Sequence, residues 1–234
     1  VFFTLGETKV QNFFGAKIIP ARGVWIEIET ESDGAVFVRI DRKRKFPISS
    51  LLRVFGAKTD EDIIKLFKHA PQTERYINAT LAKDHAKTSE EANMEIHKRL
   101  RDGEMATPEN AREFVAAIFT EERYDISRVG RHRFNKRFEK SMDEKELTRK
   151  TISLDDLETI VDNVINLNNT PNAHGDDIDH LGSRRVRFVG EMFQQKIRVG
   201  MSQIKRNIQN RMSTVDTDVT LPVQFISPKP LQAR

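Results

Sequence analysis

The sequence predicts an α+β fold: a predominantly helical domain with a small antiparallel sheet near the N-terminus and a long C-terminal helix. Three observations carry that prediction. β-rich alternation is confined to residues 16–40, helical spacing of apolar residues sets in from Thr59, and a single apolar stripe runs from Val189 to Met212.

In chain order, residues 16–20 and 24–40 alternate, with Val24, Ile26 and Ile28 on one face and Trp25, Glu27 and Glu29 on the other. Asp33-Gly34 reads as the turn between two antiparallel strands, because both residues tolerate a left-handed backbone. Pro47 opens a short helix through Leu51, Leu52 and Phe55. Thr59 or Asp60 caps a helix carrying Ile63, Ile64 and Phe67, and Ser89 caps one carrying Ala92, Ile96 and Leu100. Thr107-Pro108-Glu109 places a cap, a proline at the first helical position and an acid in the first turn, ahead of Ala111, Phe114, Val115 and Ile118. Ser153 with Asp156 starts a helix that turns Leu157, Ile160, Val161, Val164 and Ile165 inward.

Residues 166–175 read as a loop, and an acidic turn from Asp176 to His180 then leads through Gly182 and Ser183 into a long basic helix. Along that helix Val189, Phe193, Ile197, Met201, Ile204, Ile208 and Met212 face a partner surface. Gly190 and Gly200 each cost about 1 kcal/mol in a helix interior, so close packing against another backbone is expected at both. The polar run to Thr220 reads as a loop, with Leu221–Ile226 as a strand. Residues 1–182 form one expected domain and 183–234 a connecting helix and tail.

With 38% hydrophobic and 32% charged residues, the chain has the composition of a globular domain, not of a disordered or membrane-spanning one. Its first residue is Val, which suggests a fragment, and no signal peptide is read at the start. The absence of cysteine excludes disulfides and thiolate metal sites. The net charge of +4 is modest, but it is clustered. Residues 39–45 hold five Lys/Arg, 128–140 hold six and 183–212 hold eight, which suits either a polyanion partner or solvated helix faces.

Nucleophilic catalysis finds no motif: there is no G-x-S-x-G, no P-loop glycine run and no H-E-x-x-H. Asp176, Asp177, Asp179 and His180, with His174 nearby, could serve as hard-metal ligands or as a structural turn facing nucleic acid. A carboxylate such as Asp179 can accept from the exocyclic amine of a base, whereas Lys and Arg hold phosphates. Trp25, the one tryptophan, is either an outward ring that stacks on an unpaired base or an aromatic packed under a loop. Arg22, Arg101 and Arg123 lie beside loops, where ordinary surface roles are common.

Four long motifs then bring a resemblance. KIIPARGVWIEIE at 17–29, VRIDRKRKFPISSLLRVFG at 38–56, ERYDISRVGRHRFNK at 122–136 and DDIDHLGSRRVRFVGEM at 176–192 resemble the β subunit of bacterial RNA polymerase in order and spacing. The stretch resembles the lobe domain and the start of the return to the protrusion domain. Two places depart from the family: RLRDGEMAT stands around Arg101 where proline-rich turns are common, and only His69–Arg75 stands where some members carry a large insertion.

The resemblance implies a wall of the downstream DNA cleft that holds promoter and non-template DNA, in a DNA-directed nucleotidyltransferase of the bacterial cytoplasm and nucleoid. It implies that Trp25 stacks on an unpaired non-template base, that Asp179 contacts a neighbouring base with Ile178 and Arg184 lining the same pocket, and that Asp41, Arg42, Arg101 and Arg123 lie along the DNA path. It implies no catalytic residue, metal or cofactor in this stretch, the Mg²⁺ of the parent enzyme being held by another subunit. DNA, the α, β′ and ω subunits and sigma factor are the implied partners, with no membrane. Two other readings are an interaction platform for transcription factors and a metal-dependent hydrolase built on the 176–180 cluster.

Overall fold

The computed structural model describes residues 1–6, 12–68, 71–215 and 221–233. Five strands, β1 (Phe2–Gly6), β2 (Phe13–Ile18), β3 (Ile26–Thr30), β4 (Val36–Ile40) and β5 (Phe46–Pro47), form one antiparallel sheet in sequence order. Around and after it come α1 (Ile48–Phe55), α2 (Asp60–Leu66), α3 (Pro71–Lys83), α4 (Ser89–Leu100), α5 (Pro108–Ile118), α6 (Arg128–Arg137), α7 (Glu144–Thr148), α8 (Leu154–Asn169), α9 (Val189–Met212), α10 (Pro222–Phe225) and α11 (Lys229–Gln232). The α+β class is as expected: mostly helical, with the sheet first and the long helix late. The chain divides into two compact units, Val1–Asp177 and Ile178–Arg234.

Strand alternation builds the core of the first unit. Ala16 and Ile18 from β2, Ile26 and Ile28 from β3, and Val36, Val38 and Ile40 from β4 are all buried on one sheet face. The register Ile26↔Ile40 and Ile28↔Val38 sets these side chains opposite each other across the ladder. The hairpin turns through Glu31–Ala35, where Gly34 donates to the Glu31 carbonyl at 2.9 Å and takes φ 88°. That is a tight turn closed by a left-handed glycine, a geometry that suits a three-residue hairpin loop.

Helix α8 covers the sheet. Leu157, Ile160, Val161, Val164 and Ile165 are buried as the periodicity requires. Its Ser153–Asp156 capping box is closed, as is that of α2 at Thr59–Asp62. One polar side chain ties helix to sheet: Asn168 Oδ1 accepts from the Phe14 amide at 2.7 Å and its Nδ2 donates to the Phe14 carbonyl at 3.3 Å.

Several expectations need correction. The cap of α4 is Thr88, whose hydroxyl accepts from the Glu91 amide, one residue before the expected Ser89. β1 pairs with β2 although no alternation announced it. Of the His69–Arg75 stretch, residues 69 and 70 lie outside the described residues, and 71–75 begin α3. The expected loop to Thr220 is described only as far as Val215. Residues 221–226 are not a strand: Pro222 sits at the first position of the short helix α10, where its missing N–H is harmless.

The basic helix of the second unit starts at Val189, so Arg184, Arg185 and Arg187 precede it in irregular chain. Phe188 is its N-cap and offers no side-chain acceptor. Gly200 meets the expectation of close packing, since a Cβ there would lie 2.6 Å from Leu231 Cδ2 and 3.2 Å from the Pro230 carbonyl oxygen of α11. Gly190 does not, because a Cβ there would meet nothing within 4 Å. Along the apolar stripe Ile204 is buried, while Val189, Phe193, Ile197, Met201 and Met212 are exposed.

Candidate nucleic-acid interface

The residues 22–25 that lead into β3 are pinned to a distant loop. Arg22 and Asp125 exchange backbone hydrogen bonds at 3.1 and 2.8 Å, and the Arg22 guanidinium donates to the Glu121 carbonyl at 3.0 Å. Gly23, at φ 120°, lets the two backbones touch: a Cβ there would stand 2.7 Å from the Tyr124 ring and 3.0 Å from the Arg123 carbonyl oxygen. Tyr124 is fully buried against Phe119, and burial pushes its phenol well above the usual range. Trp25 and Arg123 therefore stand on adjoining segments although 98 positions separate them in the chain.

On this rim Trp25 is 38% exposed and Ile26, next to it, is fully buried. The outward reading of the indole holds. Its backbone is clamped by Asp41: the Trp25 amide donates to Asp41 Oδ1 at 2.9 Å, and the Asp41 amide donates to the Trp25 carbonyl at 2.9 Å. Arg42 lies over the indole, its guanidinium carbon 5.3 Å from the ring centroid. Asp41 and Arg42 both have positive φ, 49° and 59°, in a turn closed by Lys43 N–H to the Ile40 carbonyl at 3.0 Å. Two adjacent left-handed residues other than glycine are uncommon, and each costs of order 1 kcal/mol.

Arg123 is exposed. Arg101, at the C-cap of α4, donates to both carboxylate oxygens of Glu104 at 3.0 Å and covers the Phe114 ring at 4.9 Å. Phe114 belongs to α5, whose C-cap Phe119 packs on Tyr124. Helix α5 thus carries both the ring under Arg101 and, at its C-cap, the ring that packs on Tyr124.

The acidic turn separates into different jobs. Asp176 is structural: its Oδ2 accepts from the Phe3 amide at 2.8 Å and from Arg137 at 2.7 Å, and its own amide donates to the Phe3 carbonyl. In the second unit Ile178 is half-buried, and Asp179 is exposed and paired with Arg184 at 2.8 Å. The Gly182 amide donates to His180 Nδ1 at 3.0 Å. Among the described residues no group of three or more His, Asp or Glu side chains could hold a metal ion.

The three basic clusters also separate. In 39–45, Arg39 pairs with Glu29 and Lys45 with Glu31, while Arg42, over Trp25, and the following Lys43 and Arg44 are exposed. In 128–140, Arg128 pairs with Glu144, Arg137 with Asp176 and Lys140 with Asp155. Arg131 is wholly buried, gripping both Asp156 oxygens at 2.8 Å and the Thr151 carbonyl at 2.7 Å. That cluster, which charge alone offered as a polyanion footprint, is largely engaged inside the fold. In 183–212, Arg185 pairs with Glu191 and Arg211 donates to the Gln224 carbonyl.

The family model for RNA polymerase Rpb2, domain 2, matches residues 4–187. The chain is 36% identical over 228 residues to the DNA-directed RNA polymerase subunit beta of Gloeobacter violaceus, covering 97% of the chain and 20% of that relative. It is 38% identical over 221 residues to the same subunit of Synechocystis sp., covering 94% of the chain and 19% of the relative. To that of Synechococcus elongatus it is 37% identical over 220 residues, covering 93% and 19%. The chain spans about a fifth of the length of these curated relatives.

Proposed function

The chain belongs to the RNA polymerase Rpb2 domain 2 family of DNA-directed RNA polymerase β subunits, and from that premise we propose that it forms part of the downstream DNA cleft and holds promoter and non-template DNA during RNA synthesis. Residues 1–182 act as the lobe and 183–234 as the connection toward the protrusion. The parent enzyme is a nucleotidyltransferase that copies DNA with ribonucleoside triphosphates and Mg²⁺ bound by another subunit, and this chain alone performs no chemistry. Its partners are DNA, the α, β′ and ω subunits and sigma factor, in the bacterial cytoplasm at the nucleoid. No helix among the described residues is long and apolar enough to cross a membrane.

The observation that carries this reading is the Trp25 rim. An indole held outward by a strained, doubly hydrogen-bonded turn, with Arg42 over it and the following Lys43 and Arg44 exposed, has the two components a single-strand site needs. The π-face stacks on a base of any sequence, Arg42 backs the ring, and Lys43 and Arg44 follow the phosphates. Asp179 supplies a carboxylate acceptor for an exocyclic amine, and Arg184, its present partner, can turn to a phosphate when the base takes its place. Arg123 and Arg101 extend the positive path.

Photo-crosslinkers placed at Trp25 and at Asp179 in the full-length subunit, assembled into polymerase on a promoter, test this directly. Both are expected to label the non-template strand at neighbouring nucleotides. Labelling of protein alone, or of unrelated DNA segments, would refute it.

A further inference from the structure

Resting on the reading of Trp25 as a stacking platform, the geometry points to Asp41 and Arg42 as positioning residues that pre-set the indole and leave it one open face, so that it accepts a single unpaired base. Trp25 stands just before β3, opposite Asp41 in the register that pairs Ile26 with Ile40. Residues opposite each other at a narrow antiparallel pair normally exchange two backbone hydrogen bonds. Only one is made here, from the Asp41 amide to the Trp25 carbonyl. The other is replaced, because the Trp25 amide donates to the Asp41 carboxylate instead of to its carbonyl.

That substitution frees the Asp41 backbone to turn away. With φ 49° at Asp41 and 59° at Arg42 the chain leaves the sheet in a left-handed turn, which brings the Arg42 guanidinium over the indole at 5.3 Å. The guanidinium then lies over the ring, and Trp25 as a whole remains 38% exposed. The cation is attracted to the ring's negative face and restrains the indole before any base arrives. Backbone strain at two successive residues is maintained by these contacts, which is the pattern expected where a side chain must be aimed.

Trp25 is the single tryptophan of the chain, so its fluorescence reports this site without mixing. The test uses the full 234-residue chain, a short oligothymidylate as probe, and the variants Arg42→Ala, Asp41→Gly and Asp41→Asn, with circular dichroism to confirm the fold. Asp41→Gly keeps the left-handed turn but removes the acceptor, while Asp41→Asn keeps both. In free protein, Arg42→Ala and Asp41→Gly are expected to raise acrylamide quenching and lower emission anisotropy, and Asp41→Asn to behave as wild type. Both damaging variants should weaken oligothymidylate binding about two- to fivefold with the salt slope unchanged, whereas loss of a phosphate contact would lower the slope by about 0.7.

If wild-type emission does not respond to the oligonucleotide, the platform reading itself fails. If it responds, yet Arg42→Ala matches wild type in quenching and affinity, the positioning role is overturned and the platform stands. Should Asp41→Gly prove unfolded, Arg42→Ala, a change at an exposed side chain, decides alone.

Discussion

Arg131–Asp156 and Arg184–Asp179 are the same chemical pair closed to the same 2.8 Å, yet the first is 0% and 3% exposed at its side chains and the second 63% and 85%. Identical chemistry in two settings does two different things. The buried pair joins α6 to the start of α8, where Asp156 also accepts from Arg149 at 3.2 Å, and neither member of the pair is open to water. Removing one leaves an uncompensated buried charge. The exposed pair contributes little to stability, so either member can exchange its partner for a base or a phosphate at small cost. Arg131–Asp156 is architecture, whereas Arg184–Asp179 is a pair that water can screen.

The sharpest way to break this contrast is Asp156→Ala, which is expected to destabilise the first unit by about 3–5 kcal/mol in denaturant unfolding, with Arg131 left unpaired. Next is Trp25→Ala, expected to weaken single-strand binding by about 1–3 kcal/mol while leaving the unfolding midpoint nearly unchanged. A smaller effect concerns Glu31, whose carboxyl is held below its ordinary value by hydrogen bonds from Lys45 and then Lys83. Because the folded value is depressed, its stabilisation is present above the ordinary value of 4.5 and is lost as pH falls below it. Glu31→Gln should remove that part of the acid sensitivity, worth about 0.5–1 kcal/mol at a partly exposed pair. Smallest is Arg184→Ala, expected to change stability by no more than about 0.5 kcal/mol. If thermal melts showed Arg184→Ala as damaging as Asp156→Ala, the contrast between the two pairs would collapse.

Local signals in the sequence were sufficient where structure is decided locally. Asp33-Gly34, Thr107-Pro108 and Ser153–Asp156 each contain their own turn or cap chemistry, and all three form as read. The stripe of α8 was legible because five apolar residues at helical spacing have one way to be buried. β1 was not, since its pairing with β2 is a tertiary choice that a five-residue stretch does not encode. The start of α9 was placed early, directly after Gly182 and Ser183, whereas the basic residues 184–187 are irregular chain and Phe188 stands at the true cap.

For the site, residue types were readable and contacts were not. Strand alternation offered an outward Trp25 beside a packed one, and the burial of Ile26 with 38% exposure of Trp25 decides between them. That Asp41 turns its carboxylate to the Trp25 amide required knowing the 25↔41 register and the left-handed turn after it. Gly23 was missed for a similar reason, since its need for a bare backbone arises only when Arg123 and Tyr124 come against it. Likewise the six cations of 128–140 cannot be told from a polyanion footprint until the carboxylates that engage four of them are seen.

The most direct test of the account is the affinity of the chain for a short single-stranded oligonucleotide across a range of salt, wild type against Trp25→Ala. A weak affinity is expected whose logarithm falls linearly with the logarithm of salt, with a Trp25→Ala line of equal slope lying about tenfold lower. A wild-type line flat in salt, or two superimposed lines, would contradict it.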